Sequence, residues 1–229
     1  MKWLSLITII IPVLLLPACS TSLPRLEFTP GASVETLSAA VSVSITSAEH
    51  GMSGSGFLVY RRPDRLHLII LSPFGTTLLE AFALGEQITL LYPSRSTAYV
   101  GRIDELPLTS GMHGWRFMRW VMDAEPAASN SISGTVERSG IQDMRESVTY
   151  ENGLVARKKS QFGDQAFYSR YALLNGVPFA SEVVLLTAGE QRIRLVLDEP
   201  EVNTPLEQAV FTPQLEGITI LPLSDLRGL

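Results

Sequence analysis

The sequence predicts a mainly β fold with a few helices. Three observations carry that prediction. Apolar and polar residues alternate with a period of two through segment after segment. Two to four turn-forming residues separate neighbouring segments, so consecutive strands must run antiparallel. No strand–helix–strand alternation and no internal repeat is read in the series. The result is one long antiparallel sheet, which must curl to hide its apolar face.

The elements follow in order. Residues Ser20 to Gly31 are rich in Pro, Ser and Thr and read as a tether. Ser33 to Ala39 reads as a short helix capped by Ser33. Val41, Val43 and Ile45 then alternate with Ser42, Ser44 and Thr46, the mark of a half-buried strand. Further strands are expected at Met52–Arg61, Arg65–Leu71, Thr77–Leu84, Gln87–Tyr92 and Ser96–Arg102. Between Gly111 and Asp123 the period changes. Trp115, Met118, Val121 and Met122 fall at helical spacing, with Phe117 and Trp120 beside them, and Pro126 closes the segment. Strands resume at 131–137, 143–150, 154–161, 166–174, 180–186 and 191–198. Glu151-Asn152-Gly153 and Ala188-Gly189-Glu190 read as hairpin turns.

The amino terminus has its own logic. Lys2 precedes the apolar run Leu4–Leu16, and Leu16-Pro17-Ala18-Cys19 ends it. The run is short for a membrane span, which takes about 20 residues. The pattern reads as a secretory leader, residues 1–18, ending in a bacterial lipobox, so that Cys19 becomes an acylated first residue. Residues 19–31 form the lipidated tether in this reading, and 32–229 a single domain. Removing 18 residues leaves 211 of 229, enough for one substantial core. Acyl chains contribute about 0.8 kcal/mol per buried methylene, so several together anchor firmly. Ser20 stands where enteric-type sorting reads an aspartate as an inner-membrane signal. The expected location is therefore the periplasmic face of the outer membrane.

Composition excludes several functions. Eighteen basic and 23 acidic side chains leave no basic stripe for nucleic acid. Cys19 is the single cysteine, so no internal disulfide can form. His50, His67 and His113 lie in different elements without ligand-like spacing, and no metal site is expected. Gly51-Met52-Ser53-Gly54-Ser55-Gly56 precedes a strand rather than a helix, which argues for a turn and bulge and against a phosphate loop. No serine sits in a nucleophile elbow. The chain reads as a non-enzyme without a cofactor.

Two apolar oddities remain. Leu66, Leu68 and Ile70 face one way while Ile69 and Leu71 face the other; Leu78 and Phe82 likewise oppose Leu79, Ala81 and Ala83. A sheet with one wet face alternates apolar with polar, so something covers both faces here. The pattern alone favours a core on one side and a packed helix on the other. A cavity between sheet and helices is the alternative. Phe74, between Pro73 and Gly75, gains little from the sheet and would suit contact with a membrane or another protein if exposed.

From Asp64 to Pro126 the chain resembles the LolB family of outer-membrane lipoproteins. Asp64-Arg65 precedes the Leu/Ile strand. Ser72-Pro73-Phe74-Gly75-Thr76-Thr77 matches the family turn Asn-Pro-Leu-Gly-Ser-Thr. Arg119-Trp120 matches a family Leu-Arg-Gln-Trp helix, and Gly189-Glu190-Gln191-Arg192-Ile193-Arg194-Leu195 a Gly-Gln-Arg-Ile-Lys-Leu stretch. The resemblance implies an incomplete, strongly curved antiparallel barrel with helices covering its open mouth. It implies an acyl-chain hollow lined by Phe57, Leu68, Ile70 and Leu79, roofed by Trp115, Met118 and Trp120. Phe74 takes the place of a protruding leucine needed to deliver cargo into the membrane. The implied role is acceptance of lipoproteins from a periplasmic LolA-like carrier, by a monomer. Binding of another amphiphile, and a structural docking module on the same fold, remain open alternatives. Glu207 to Gln214 departs from the family and resembles the tail of LolA instead.

Overall fold

The computed structural model describes residues 22–47, 51–106, 113–140 and 144–226; of residues 113–116 only the backbone is described. Thirteen strands form one sheet there. In chain order they are β1 (Thr36–Thr46), β2 (Gly51–Arg61), β3 (Arg65–Leu71), β4 (Thr77–Leu84), β5 (Gln87–Tyr92), β6 (Thr97–Arg102), β7 (Gly134–Ser139), β8 (Arg145–Glu151), β9 (Leu154–Ser160), β10 (Gln165–Leu174), β11 (Val177–Leu186), β12 (Arg192–Val202) and β13 (Thr219–Pro222). Their spatial order is β13-β6-β5-β4-β3-β2-β1-β12-β11-β10-β9-β8-β7. Every pairing is antiparallel except β13 with β6, which is parallel. The sheet does not close: β13 and β7 are its margins.

One α-helix lies among the described residues, α1 (His113–Met122). The several helices expected to cover the open mouth are not found among the described residues, which hold this one. Side chains from strands far apart in the order meet around it. Leu37, Val41, Leu58, Leu66 and Leu68 share one buried cluster with Trp120 and Val121 of α1 and with Val148, Val155, Tyr168 and Leu195. That convergence requires the sheet to curl around the helix.

The helix expected at Ser33–Ala39 does not form. Ser33 Oγ donates to the Glu35 carboxylate (2.6 Å) instead of capping. Leu37, Ala39 and Val41 continue the period-two pattern backwards, and β1 pairs along its whole length with both β2 and β12. Two ladders of backbone hydrogen bonds and three buried side chains outweigh one cap. The segment before β1 is also partly laid against the sheet. Leu23, Leu26 and Phe28 are half-buried. The Leu23 N–H donates to Glu151 (3.2 Å), and Asn152 Nδ2 donates to the Leu23 carbonyl (2.8 Å).

The two-sided apolar strands have two separate covers. On the inner face, Leu79, Ala81, Ile88, Leu90 and Tyr92 pack under Leu106, Leu223 and Leu226. On the outer face lies the chain between β12 and β13. Asn203 starts it, accepting from the N–H groups of Glu35 (2.8 Å) and Thr36 (3.3 Å) and donating to the Ser33 carbonyl (3.0 Å). A 3₁₀ turn, Gln208–Phe211, then packs against β3 and β4. Phe211 is buried beneath the Arg61 guanidinium, 5.1 Å from its ring centre. Arg61 also donates to the Leu206 carbonyl, and Arg65 to Gln208. Beside the strap, His67 stacks on Phe82 at 4.0 Å and bonds Glu80 at 3.2 Å. Burial holds the His67 imidazole below its ordinary pKa against the pull of Glu80. The segment that departs from the family pattern is thus the outer cover, and its far end folds round the β6 margin onto the inner face.

Candidate functional site

The site is built around α1. Its carboxyl end leaves backbone carbonyls without helical partners, and two buried side chains take them. Lys158 Nζ donates to the carbonyls of Trp120 and Asp123, both at 2.9 Å, and the Tyr168 hydroxyl donates to that of Val121 at 2.8 Å. A cation at a helix carboxyl terminus also opposes the negative end of the helix dipole. Lys158 and Glu146 are both wholly buried, and their charged atoms lie 3.1 Å apart. Glu146 accepts from Trp120 Nε1 (2.5 Å) and from Arg138 Nε (2.6 Å). Asp123 lies 3.1 Å from Arg62 and 3.8 Å from Lys158. Burial alone would raise the Glu146 pKa; the Lys158 charge and three hydrogen bonds reverse this and hold its carboxyl below the ordinary value. Burial drags Lys158 down, opposed chiefly by Glu146 and Asp123. Burial likewise raises the Tyr168 phenol well above its usual range. Lys158, Glu146 and Tyr168 are each bonded within this network, which holds the helix end, while Arg138 Nη2 is buried without a hydrogen bond, 3.6 Å from Asp123.

The other flank of α1 faces space. Phe117, Arg119 and Trp120 border a hollow of about 720 Å³. Ile103 and Met144 add apolar wall, Phe162 stands at its side, and Thr187, Ala188 and Gly189 bound it from the β11–β12 turn. Phe117 and Trp120 meet edge to face with ring centres 6.1 Å apart. Arg119 pairs with Glu86 (3.1 Å) at the same hollow. The volume lies within the range of small-molecule sites, and the lining is mixed: Glu86, Asp104, Arg119, Asp164, Thr187 and Gln191 stand there beside the apolar side chains. Among the described residues no cluster of His, Cys, Asp or Glu could hold a metal ion.

The residues singled out from sequence are scattered around this geometry. Trp120 lines the hollow. Met118 packs into the main cluster with Leu68; Leu79 lies in the second cluster, and Ile70 bridges the two. These three strand residues do face inward, but they are wall rather than lining. Phe57 is a correction. It pairs with Ile69, alternates with the buried Leu58, and is 51% exposed on the outer face, so it cannot line the hollow. Cys19 and the Trp115 side chain lie outside the described residues, as do His50 and the His113 side chain. Phe117 stood beside the helical stripe in the sequence. Met144, Ile103 and Phe162 carried no recognised signal.

Phe74 sits at the tip of the β3–β4 turn with 93% of its surface exposed. The turn is rigidly built. The Ser72 N–H donates to the Thr76 carbonyl (2.8 Å), and Ser72 Oγ accepts from the N–H groups of Phe74 and Thr76, both at 3.2 Å. Gly75 takes φ +79°, which a side chain would strain.

An open, curled antiparallel sheet around one helix, with a hollow at the helix flank, defines the class of fold. Within it the affiliation is specific: the family model described as outer membrane lipoprotein LolB matches residues 36–199, and the chain belongs to that family. The match ends short of the outer strap. A LolA superfamily protein from Nitrosomonas europaea has a similar fold, with TM-score 0.56 at 14% identity over 78% of this chain and 90% of that one. A DUF1329 family protein from Desulfovibrio piger gives 0.57 at 12% identity over the same shares. No curated protein matches.

Proposed function

We propose that this chain receives lipoproteins at the periplasmic face of the outer membrane, holds their acyl chains in the hollow beside α1, and aids their insertion into the bilayer. The observation that carries this reading is the 720 Å³ hollow with Phe117, Trp120, Ile103 and Met144 on its walls, in a chain of the LolB family. Burial of apolar area at about 25 cal/mol per Å² drives such binding without covalent chemistry. Methionine suits a wall that must fit varied chains. Cys19, acylated, anchors the body through residues 19–31, and a LolA-like carrier hands over the cargo. Phe74, an exposed ring on a preformed turn, enters the bilayer.

Two experiments test the reading. Depletion of this protein should leave other lipoproteins at the inner membrane; an unchanged distribution would overturn the sorting role. Phe74→Glu should leave thermal stability within about 0.5 kcal/mol, as exposed positions do, and keep cargo binding, while abolishing transfer into liposomes. Normal transfer by that variant removes Phe74 from the mechanism.

A further inference from the structure

The Phe74 turn has a second copy. Ser160-Gln161-Phe162-Gly163-Asp164 repeats the Ser-x-Phe-Gly order of Ser72-Pro73-Phe74-Gly75-Thr76, and it repeats the geometry bond for bond. The Ser160 N–H donates to the carbonyl of Asp164 (2.9 Å), as Ser72 does to Thr76 (2.8 Å). The Gly163 N–H donates to the Ser160 carbonyl (3.1 Å), as Gly75 does to Ser72 (2.9 Å). Ser160 Oγ accepts from the N–H groups of Phe162 (3.2 Å) and Asp164 (3.1 Å) and donates to Asp164 Oδ2 (2.8 Å). Gly163 takes φ +97° where Gly75 takes +79°. The result is another presented phenylalanine, 66% exposed. By strand direction, the β3–β4 and β9–β10 turns leave the same end of the sheet.

The turn does not itself require the ring. The β11–β12 turn follows the same plan with Thr187 in the serine's place: its N–H donates to the Gln191 carbonyl (2.9 Å), and its Oγ1 accepts from the Gln191 N–H (3.1 Å). That turn carries Gly189 where the others carry phenylalanine. Asp164 locks the two neighbours together, accepting from the Ala188 N–H at 3.0 Å. Both turns border the hollow, and Phe162 is the ring standing at that border; Phe74 is not among the residues that line it.

We infer that Phe162 is an acyl-chain contact at the rim of the hollow, a second apolar finger that holds the alkyl chain as it enters or leaves, distinct from Phe74 at the bilayer. This rests on the reading of the hollow as an acyl site. An exposed ring costs nothing in folding to replace, yet covering it with an alkyl chain removes its apolar surface from water. Its preset turn spares the entropy of ordering a finger on binding.

The test is photocrosslinking with a diacylated lipopeptide carrying a diazirine in its acyl chain, applied to membranes containing the full chain, with adducts mapped by mass spectrometry. The expected result is adducts on Phe162 together with adducts on Phe117, Trp120 or Met144. Phe162→Ser should lower the yield on those hollow residues about fivefold, and Phe162→Leu should restore it to within about twofold. Hollow adducts unchanged by Phe162→Ser, or adducts on Phe162 with none in the hollow, would overturn the assignment. No adduct at either place in the unsubstituted chain would instead sink the acyl-site reading beneath it.

Discussion

The carboxyl end and the hollow-facing flank of α1 are a few residues apart and physically opposite. At the end, Lys158 and Tyr168 take up helix carbonyls and Glu146 accepts from Arg138 Nε, with the Lys158 and Glu146 charges sealed from water. At the flank, Phe117 and Trp120 border a space left open among the described residues. A core residue usually gains from close packing on all sides. Here one anchor is over-determined so that the adjoining surface can stand unfilled without the helix sliding in to close it. Trp120 belongs to both regions: its indole N–H is fixed by Glu146 and its ring borders the hollow.

The comparison can be broken from the latched side first. Lys158→Met leaves Glu146 buried without its main counter-charge and should cost about 3–5 kcal/mol in chemical denaturation. Adding Glu146→Leu to it should cost less than the sum of the two single changes; additive losses would show that the pair does not act as a unit. Acid should have the next largest effect. The Glu146 carboxyl is held below its unfolded value near 4.5, so its contribution is present above that pH and lost as pH falls towards the folded value. Folding free energy should therefore drop below about pH 4.5, and by less in the Glu146→Leu background. Phe117→Ala sharpens the other side. The ring has the hollow on one flank, so its removal should cost only about 1–2 kcal/mol, below the 3–5 typical of a filled core. A loss in the core range would mean the flank is packed after all.

Much of this was legible in the residues. Period two located β2 to β6 and β8 to β12, and helical spacing located α1. What failed did so for physical reasons. Ser33 offers a local cap, but Leu37 and Ala39 are buried by strands distant in sequence. The face of β2 could not be chosen because Phe57 and Val59 match Leu58 and Tyr60 in character; only the curl around α1 decides that Leu58 turns inward. The second cover of the sheet was expected to be a helix, yet it is an irregular strap anchored by Phe211 and arginines, which has no period to detect. Lys158 and Glu146 read as ordinary polar strand residues, since their pairing is set wholly by the fold. The Ser-x-Phe-Gly recurrence was visible in the letters, but its meaning depended on the shared hydrogen bonds.

An unclosed sheet leaves two margins with spare backbone donors and acceptors, each an invitation for a neighbouring molecule to add a strand. β13 answers at one margin. It is only four residues long and ends in Pro222, which lacks a donor. The other margin, β7, presents the exposed charge of Glu137. Short length, a proline and charge at the two margins are the features by which an open sheet discourages edge-to-edge pairing.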